Sequence, residues 1–354
     1  MWVLVKTAAV CLLPVNQFDH FYRGGDRIGA LRSGPGGPQR PEEWLGSTTA
    51  RFGQAPAGLS SLPDGTLLVD AIAADPQAWL GSAHLDRYGP SIEVLVKFLD
   101  LGQRLPVHLH PNRSFAREHL GLAHGKTEAW YVLDAPPGAR VGVGFATPPG
   151  RTELAQWVRT YDSQALLDAL CTREVRPGDA MLVPAGLPHT VSDGVFVLEL
   201  QEPTDLSILL EWADFAVDGD KDGHLDLGFD IALQAVDLAP ISATDLDRLV
   251  VPAAALAGAG LRSVLPTQAD PYFRALRADT SAGPVSVPAG FAIVVVLQGA
   301  GELVWADGSQ PVRRGDVALV PFAVGPWQVV DGGAEPVVAM VCAPPSVDAP
   351  YGAP

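Results

Sequence analysis

Short apolar runs separated by glycine and proline recur along most of the chain. The clearest of these runs are residues 92–99, 129–133, 180–183, 195–200 and 291–297. Each is shorter than an average helix but long enough to cross a barrel as a strand. A helical period of apolar residues is rare, and its best example is 163–171, which Asp162 or Ser163 can cap. The pattern predicts an all-β fold with a few helices.

A ten-residue sequence occurs twice and determines the predicted domain organisation. VRPGDAMLVP at 175–184 returns as VRRGDVALVP at 312–321. In both copies a Gly-Asp turn leads into an apolar strand that ends at proline. We therefore predict two similar β barrels in tandem, residues 1–240 and 241–354. Residues 218–244 are predicted to form a solvated linker, because their calcium-loop-like start DGDKDG has Phe229 at the twelfth position, where a glutamate is needed.

Composition narrows the class of partner. The 354 residues include 47% hydrophobic side chains, which excludes a disordered chain. With 40 acidic and 24 basic residues, the net charge of -16 excludes nucleic acid and anionic membranes as partners and favours small molecules. Three scattered cysteines predict a cytoplasmic protein without disulfides. Residues 1–15 are predicted to be a strand rather than a signal peptide, and no apolar stretch reaches the ~20 residues of a membrane-spanning helix.

Histidines at two places indicate a metal site in the first barrel. His108 and His110 are two positions apart, so on a strand both imidazoles point to the same side. With Gly102 before them they form Gly-x5-His-x-His, and the sequence that ends at His189 forms Pro-x-Gly-x2-His. These two patterns resemble the motifs of the cupin barrel.

The cupin resemblance implies a fourth ligand and therefore a metal at His108, His110, Glu128 and His189. Three imidazoles and a carboxylate suit zinc, and equally iron, manganese or nickel. His119 and His124 fall in a separate predicted loop and are not expected to bind the metal. In the second barrel Pro326 and Ala292 occupy the corresponding positions. We therefore expect that barrel to bind no metal and to serve packing, dimerisation or covering of the cleft.

Further motifs are similar to those of type I phosphomannose isomerases. They are GKTEAWY at 125–131, PAGLPH at 184–189, the Glu-x-Trp segment at 42–44 and a strand that carries Lys97 ahead of the metal motif. The resemblance implies a zinc enzyme of two cupin barrels that interconverts mannose 6-phosphate and fructose 6-phosphate. It also implies roles for individual residues: Glu199 as the base, Lys126 as a polarising or relay group, and Arg23, Lys97 and Asp205 as substrate-binding residues. The alternative readings of these two residues, which we favour less, are an inward barrel carboxylate bonded to backbone for Glu199 and a surface loop lysine for Lys126.

Three positions depart from the family pattern. His108 replaces a glutamine, Pro106 replaces a serine, and the segment around Leu209 lacks the usual arginine. Other cations must then bind any phosphate, and the candidates are Arg23, Arg27, Lys97, Arg113 and Arg117. The alternatives are an isomerase of an unphosphorylated sugar, a metal-dependent cupin dioxygenase and a sugar-binding cupin without turnover. The protein is predicted to be a monomer or a homodimer.

Overall fold

The computed structural model describes residues 8–34 and 36–349. In this part of the chain the strands are β1 Cys11–Leu12, β2 Glu42–Leu45, β3 Leu95–Asp100, β4 His108–Leu109, β5 Glu128–Asp134, β6 Arg140–Phe145, β7 Leu170–Glu174, β8 Ala180–Val183, β9 His189–Val191, β10 Phe196–Gln201, β11 Ile208–Leu209, β12 Val250–Val251, β13 Gly260–Ser263, β14 Arg274–Asp279, β15 Val285–Val287, β16 Ala292–Gln298, β17 Ala300–Trp305, β18 Gly308–Arg313, β19 Val317–Val320, β20 Trp327–Asp331 and β21 Val338–Ala343.

Short helices connect these strands. The α-helices of the described residues are α1 Arg27–Arg32, α2 Leu68–Ala74, α3 Pro76–Leu80, α4 Ser82–Tyr88, α5 Arg113–Phe115, α6 Arg151–Thr160, α7 Ser163–Ala169, α8 Gly219–Asp222, α9 Phe229–Ala232, α10 Ala243–Arg248 and α11 Ala253–Leu256. A π-helical turn covers Ala116–Leu120, and 3₁₀ turns cover Leu233–Ala235, Thr267–Ala269 and Phe322–Val324. Among the described residues no helix is long and apolar enough to span a membrane.

Two β sandwiches make up the structure. In the first, a six-stranded sheet of order β12-β8-β5-β10-β3-β2 faces a five-stranded sheet of order β11-β4-β9-β6-β7. In the second, a six-stranded sheet of order β1-β19-β16-β21-β14-β13 faces a four-stranded sheet of order β15-β20-β17-β18. Each sandwich encloses its own core, since Val132 packs with Val143 in the first and Val294 with Val329 in the second.

The repeated sequence has the same structure in both sandwiches. Gly178 and Gly315 both have left-handed backbone angles, with φ of 89° and 92°, which glycine adopts without steric cost. The following carboxylates, Asp179 and Asp316, each accept a hydrogen bond from the backbone N–H three residues earlier. The strands that follow are β8 and β19, one in each six-stranded sheet. The predicted repeat is therefore a structural repeat.

The two six-stranded sheets pack back to back. Val96 and Phe98 from one sheet share a core with Ile293 and Val295 from the other. Every residue of β3 is buried as a result, because alternate side chains face either the neighbouring sandwich or the interior of their own. This explains why the sequence of these strands is a continuous apolar run rather than an alternating one.

Several sequence predictions can be compared with these elements. The five predicted strands correspond to β3, β5, β8, β10 and β16 within a few residues, and the predicted helix corresponds to α7, capped by the Asp162 side chain. Helices are more numerous than predicted. The prediction of a solvated linker at 218–244 was wrong. These residues contain α8, α9 and the start of α10. Phe229 of this segment stacks on Trp212 in the first domain. Linker composition did not reveal these apolar anchors.

The ends of the predicted domains exchange short strands. Of the predicted strand at 1–15, Cys11–Leu12 forms β1, whereas residues 1–7 lie outside the described residues. β1 pairs with β19 in the second sandwich, and β12 pairs with β8 in the first. The division into residues 1–240 and 241–354 stays a prediction.

Candidate active site

Three histidines of the first sandwich meet inside it. His108 and His189 stand directly opposite each other on β4 and β9, and His110 follows His108 by two residues. Their ligand-type nitrogen atoms lie within 4.8 Å of one another. Within residues 8–34 and 36–349, no other group of three or more His, Cys, Asp or Glu side chains has this metal-binding arrangement.

The hydrogen bonds of these histidines fit a metal centre. Each Nδ1 atom lies 2.7–2.8 Å from a backbone carbonyl oxygen, those of Pro106, Leu206 and Leu187 respectively. A carbonyl accepts, so Nδ1 carries the proton and Nε2 keeps its lone pair for a ligand. Burial lowers the pKa of His108 well below its usual range and that of His110 to about 3, so both rings are neutral. The buried Nε2 of His189 has no hydrogen-bond partner.

Glu128, the first residue of β5, completes this group. Its two carboxylate oxygens lie 3.0 Å from Nε2 of His110 and 3.2 Å from Nε2 of His189. Although burial opposes ionisation, the neighbouring groups, Lys126 foremost, hold the pKa of Glu128 well below its ordinary value. The residues present therefore fit a divalent cation: three imidazoles and one carboxylate, all buried.

Lys126 lies beside the same cluster. Its Nζ atom donates to Nε2 of His110 at 2.7 Å and to Glu128 at 2.6 Å. The lysine is buried, contrary to a surface loop position. Its backbone N–H donates to the carbonyl of Pro111, which fixes the loop that brings it there.

A row of directly paired residues crosses the six-stranded sheet next to the histidines. Four residues stand next to one another across β2, β3, β10 and β5: in that order they are Trp44, Lys97, Glu199 and Trp130. Paired residues of an antiparallel sheet point to the same face, so this row faces the interior. The strand register thus delivers Lys97 and Glu199 to the cavity together.

Glu199 is a buried carboxylate, and one of its oxygens has no hydrogen-bond partner. Trp130 donates its indole N–H to Oε2 at 3.3 Å, whereas the buried Oε1 has no hydrogen-bond partner and lies 3.7 Å from Nζ of Lys97. Burial and the charge of Glu128 raise the pKa of Glu199 to about 7, against the opposing charges of Lys126 and Lys97. A carboxylate with such a pKa can take up and return a proton near neutral pH.

One cavity of about 630 Å³ is lined by His108, Glu128, Lys126, Lys97 and Glu199. Its ionisable wall includes seven carboxylates, three of them on the segment from Asp218 to Asp226, and four lysine or arginine side chains. The cations other than Lys97 and Lys126 are Arg51 and Lys221. Leu209, paired with His108 across β4 and β11, is a buried apolar residue of the same wall.

The structure brings some of the predicted substrate-binding residues to this cavity and not others. Lys97 and Asp205 line it, and Asp205 accepts a hydrogen bond from the backbone N–H of Phe52 at 3.1 Å. Arg23 is exposed in a different cleft, beside Arg104. Arg23 lies outside because its segment bonds to the loop at Gly102 rather than to the barrel interior.

The other candidate cations and histidines are likewise outside the cavity. Arg27 forms an ion pair with Asp100, and Arg113 pairs with Glu202 below the ring of Tyr272. Arg117 is exposed. As expected, neither of the two loop histidines joins the metal cluster: His119 packs on Phe115, and His124 pairs with Glu93 at 3.0 Å.

Sequence reasoning missed several residues of the site. His20 and Tyr22 contact Glu42 in the cavity wall, and Arg51 stands at its edge. No motif surrounds His20 or Tyr22, and only tertiary contacts place them there. Glu42 and Trp44 had been recognised as a family-like segment, but nothing in the sequence assigned them a role.

Comparison with known proteins finds relatives of the chain. No family model matches the chain. A mannose-6-phosphate isomerase of Streptococcus mutans serotype c is 28% identical over 286 residues, which span 78% of this chain and 85% of that protein. The mannose-6-phosphate isomerase ManA of Bacillus subtilis strain 168 is 26% identical over 253 residues, 71% of this chain and 76% of that protein. The predicted similarity to phosphomannose isomerases is confirmed.

Solved structures show the same fold. The mannose 6-phosphate isomerase from Bacillus subtilis superimposes with a TM-score of 0.72 at 20% identity, covering 94% of this chain and 99% of that one. A mannose 6-phosphate isomerase bound with zinc and yttrium superimposes with a TM-score of 0.69 at 17% identity, covering 94% and 99%. The predicted all-β, cupin-type fold class is therefore confirmed.

Proposed function

We propose that the protein is a metal-dependent aldose–ketose isomerase that interconverts mannose 6-phosphate and fructose 6-phosphate with zinc. The observation that carries the proposal is that the buried carboxylate of Glu199, with one oxygen unpaired, shares a cavity with His108 and Glu128 of the metal-type cluster, which His110 and His189 complete. The substrate comes from the names of the relatives. Zinc is favoured over iron, manganese and nickel because a structural neighbour binds it.

Isomerisation moves one proton between C2 and C1 of an open-chain sugar and a second between the two oxygens. Oε1 of Glu199 takes the proton from C2 of the aldose and returns it to C1. Lys126, whose Nζ lies among the ligand side chains, donates hydrogen bonds to the sugar oxygens as their charge changes. A divalent ion held by the four ligands supplies positive charge where the oxygens become negative. No oxidant is consumed.

The direct test follows the reaction in D₂O under argon with the zinc-loaded protein. We expect fructose 6-phosphate to form from mannose 6-phosphate, with deuterium incorporated from solvent at C1 or C2. A requirement for oxygen would support a dioxygenase instead. Binding of the sugar without turnover would support the third class, a sugar-binding protein.

A second candidate, isomerisation of an unphosphorylated aldose, is favoured by the wall of the cavity. Leu209 is a buried apolar residue where the family usually has an arginine, and Asp218, Asp222 and Asp226 add negative charge to the wall. A phosphate dianion requires guanidinium or several N–H donors. Arg51 and Lys221 are the cations that would have to supply them.

A cytoplasmic location and a monomeric or dimeric assembly remain predictions from the sequence.

A further inference from the structure

Glu42 lies in the cavity wall with an unusually complete set of donors. Its carboxylate accepts hydrogen bonds from the Tyr22 hydroxyl and, at 2.7 Å, from the Trp44 indole N–H. His20 Nδ1 lies 3.6 Å away and Lys97 Nζ 3.3 Å away. Although burial disfavours the charge, these neighbours hold the pKa of Glu42 well below its ordinary value. Glu42 is therefore a fixed negative charge.

Lys97 stands between two carboxylates and is nearer to Glu42. Its Nζ atom is 3.3 Å from Glu42 and 3.7 Å from Oε1 of Glu199, and it lies 4.5 Å from the centre of the Trp44 ring. The lysine side chain is 4% exposed, so water screens these charges little. Glu42 and Trp44 together hold the ammonium group on the β2 side of the row.

This placement matters for the proposed base. An ammonium group in full contact with Glu199 would occupy the lone pairs of Oε1 and make the carboxylate a weaker base. At its observed distance, Lys97 still compensates part of the buried charge while Oε1 remains without a hydrogen-bond partner. The other ionisable groups acting on Glu199 are Glu128 and Lys126, on the metal side of the cavity, and Glu42 itself, whose negative charge raises the pKa of Glu199 directly.

We propose that Glu42 is a positioning residue that holds Lys97 away from Glu199, so that Oε1 of Glu199 stays open to the substrate. The inference rests on the proposed function, because it assigns Glu42 to the same proton transfer. Glu42 does not act on the sugar. It sets the distance between the Lys97 ammonium group and the Glu199 carboxylate.

The test compares the acid limb of kcat/KM against pH in the zinc-loaded protein and three variants. In Glu42→Gln the lysine turns to Glu199, so the limb moves to lower pH by about one unit and kcat falls about three- to tenfold. In Lys97→Met the compensating charge is lost, so the limb moves to higher pH. Because loss of the Glu42 charge would by itself also lower the limb, Glu42→Gln is repeated in the Lys97→Met background, where the positioning role predicts a much smaller shift than in the wild type and a direct charge effect an equal one.

Glu43→Gln is the matched control. Glu43 is the adjacent buried carboxylate of β2 and pairs with Arg32 at 3.0 Å rather than with the row. Its loss should lower the thermal midpoint without moving the limb. An unmoved limb in both Glu42→Gln and Lys97→Met would overturn the proposal, and so would a shift of the same sign in the two. If Glu42→Gln does not fold, Lys97→Met decides alone. The proposal is then overturned if the limb of Lys97→Met does not move to higher pH.

A second readout is independent of turnover. The Trp130 indole N–H donates to Glu199, so its ¹⁵N chemical shift titrates with that carboxylate. We expect the Trp130 signal to show the same opposite shifts in the two variants. If wild type isomerises no sugar but the signal behaves in this way, the proposed function fails and the positioning role stands. A titration unchanged by Glu42→Gln and Lys97→Met overturns the positioning role, whatever the activity.

Discussion

At the scale of single residues, the site depends on which groups remain unsatisfied. Backbone carbonyls fix the Nδ1 side of His108, His110 and His189. This turns Nε2 toward the cluster, where that of His110 accepts from Lys126 and that of His189 has no hydrogen-bond partner. Glu199 likewise keeps one oxygen without a partner inside a buried cavity. Burying polar atoms without hydrogen-bond partners costs free energy, and the folded structure does not compensate this cost. Their persistence together in one cavity is the strongest residue-level argument for chemistry there.

Removing the basicity of Glu199 tests its role. Glu199→Gln keeps the shape of the side chain and the Trp130 contact, so metal binding should be retained. We expect kcat to fall by about two to four orders of magnitude. The exposed Glu174→Gln, on β7, serves as control and should leave kcat unchanged. A loss below about tenfold in Glu199→Gln would assign the base role elsewhere.

The pH dependence of the rate follows from the same carboxylate. Burial raises the pKa of Glu199 to about 7, and a base acts only in its deprotonated form. Activity should therefore fall as pH decreases through about 7, with the slope of a single proton, and a bound cation would move this limb to lower pH. A kcat/KM profile that is flat between pH 5 and 8 would contradict this.

Sequence reasoning reached these residues unevenly. The spacing of His108 and His110 could be interpreted because a strand places alternate residues on one face. Glu199 and Lys126 were reachable only through family resemblance. His20, Tyr22 and the contact between Lys97 and Glu42 depend on strand register and loop packing, which bring together residues far apart in the chain. Periodicity carries no information about such pairs.

At the scale of elements, both faces of the six-stranded sheets are buried. The sequence predicted these strands well because continuous apolar runs bounded by glycine and proline are conspicuous. It failed for 218–244, where acidic residues surround the few apolar side chains that anchor α8 and α9 to Trp212. The error also hid the contribution of this segment to the cavity wall.

Truncating a side chain between the two sheets tests the back-to-back packing. Ile293 on β16 is fully buried in the core that both sandwiches share. Ile293→Ala should lower the free energy of unfolding by about 2–5 kcal/mol in urea titrations. The control Ile231→Ala, at an isoleucine 36% exposed, should change it by less than about 0.5 kcal/mol. Equal effects of the two substitutions would contradict the packing.

At the scale of the whole molecule, the metal-type histidine cluster lies in the first sandwich, and we expect the second sandwich to have a supporting role. Glu128 is opposite Val183 on β5 and β8, and Ala292 is opposite Val320 on β16 and β19. The repeat thus puts an alanine where the first sandwich has a ligand. The net charge is -16 and the cavity wall is acidic, so the positive charge of the wall comes from its lysines and Arg51.

The charge of the substrate can be measured by comparing two sugars. If the second candidate is correct, kcat/KM for mannose 6-phosphate and for mannose should differ by less than about a hundredfold. Each hydrogen bond to a charged group contributes roughly 1.5–3 kcal/mol, and Leu209 supplies none. A larger preference would reject the unphosphorylated candidate. Arg51→Ala should then raise KM for the phosphorylated sugar alone.

The measurement that tests the central claim most directly is metal content paired with isomerase activity in one preparation. We predict about one divalent ion per chain, loss of activity on chelation, recovery when zinc is returned, and neither metal nor activity in His110→Ala. Full isomerase activity in protein holding less than about a tenth of an equivalent of metal, or metal content unchanged in His110→Ala, would contradict the account.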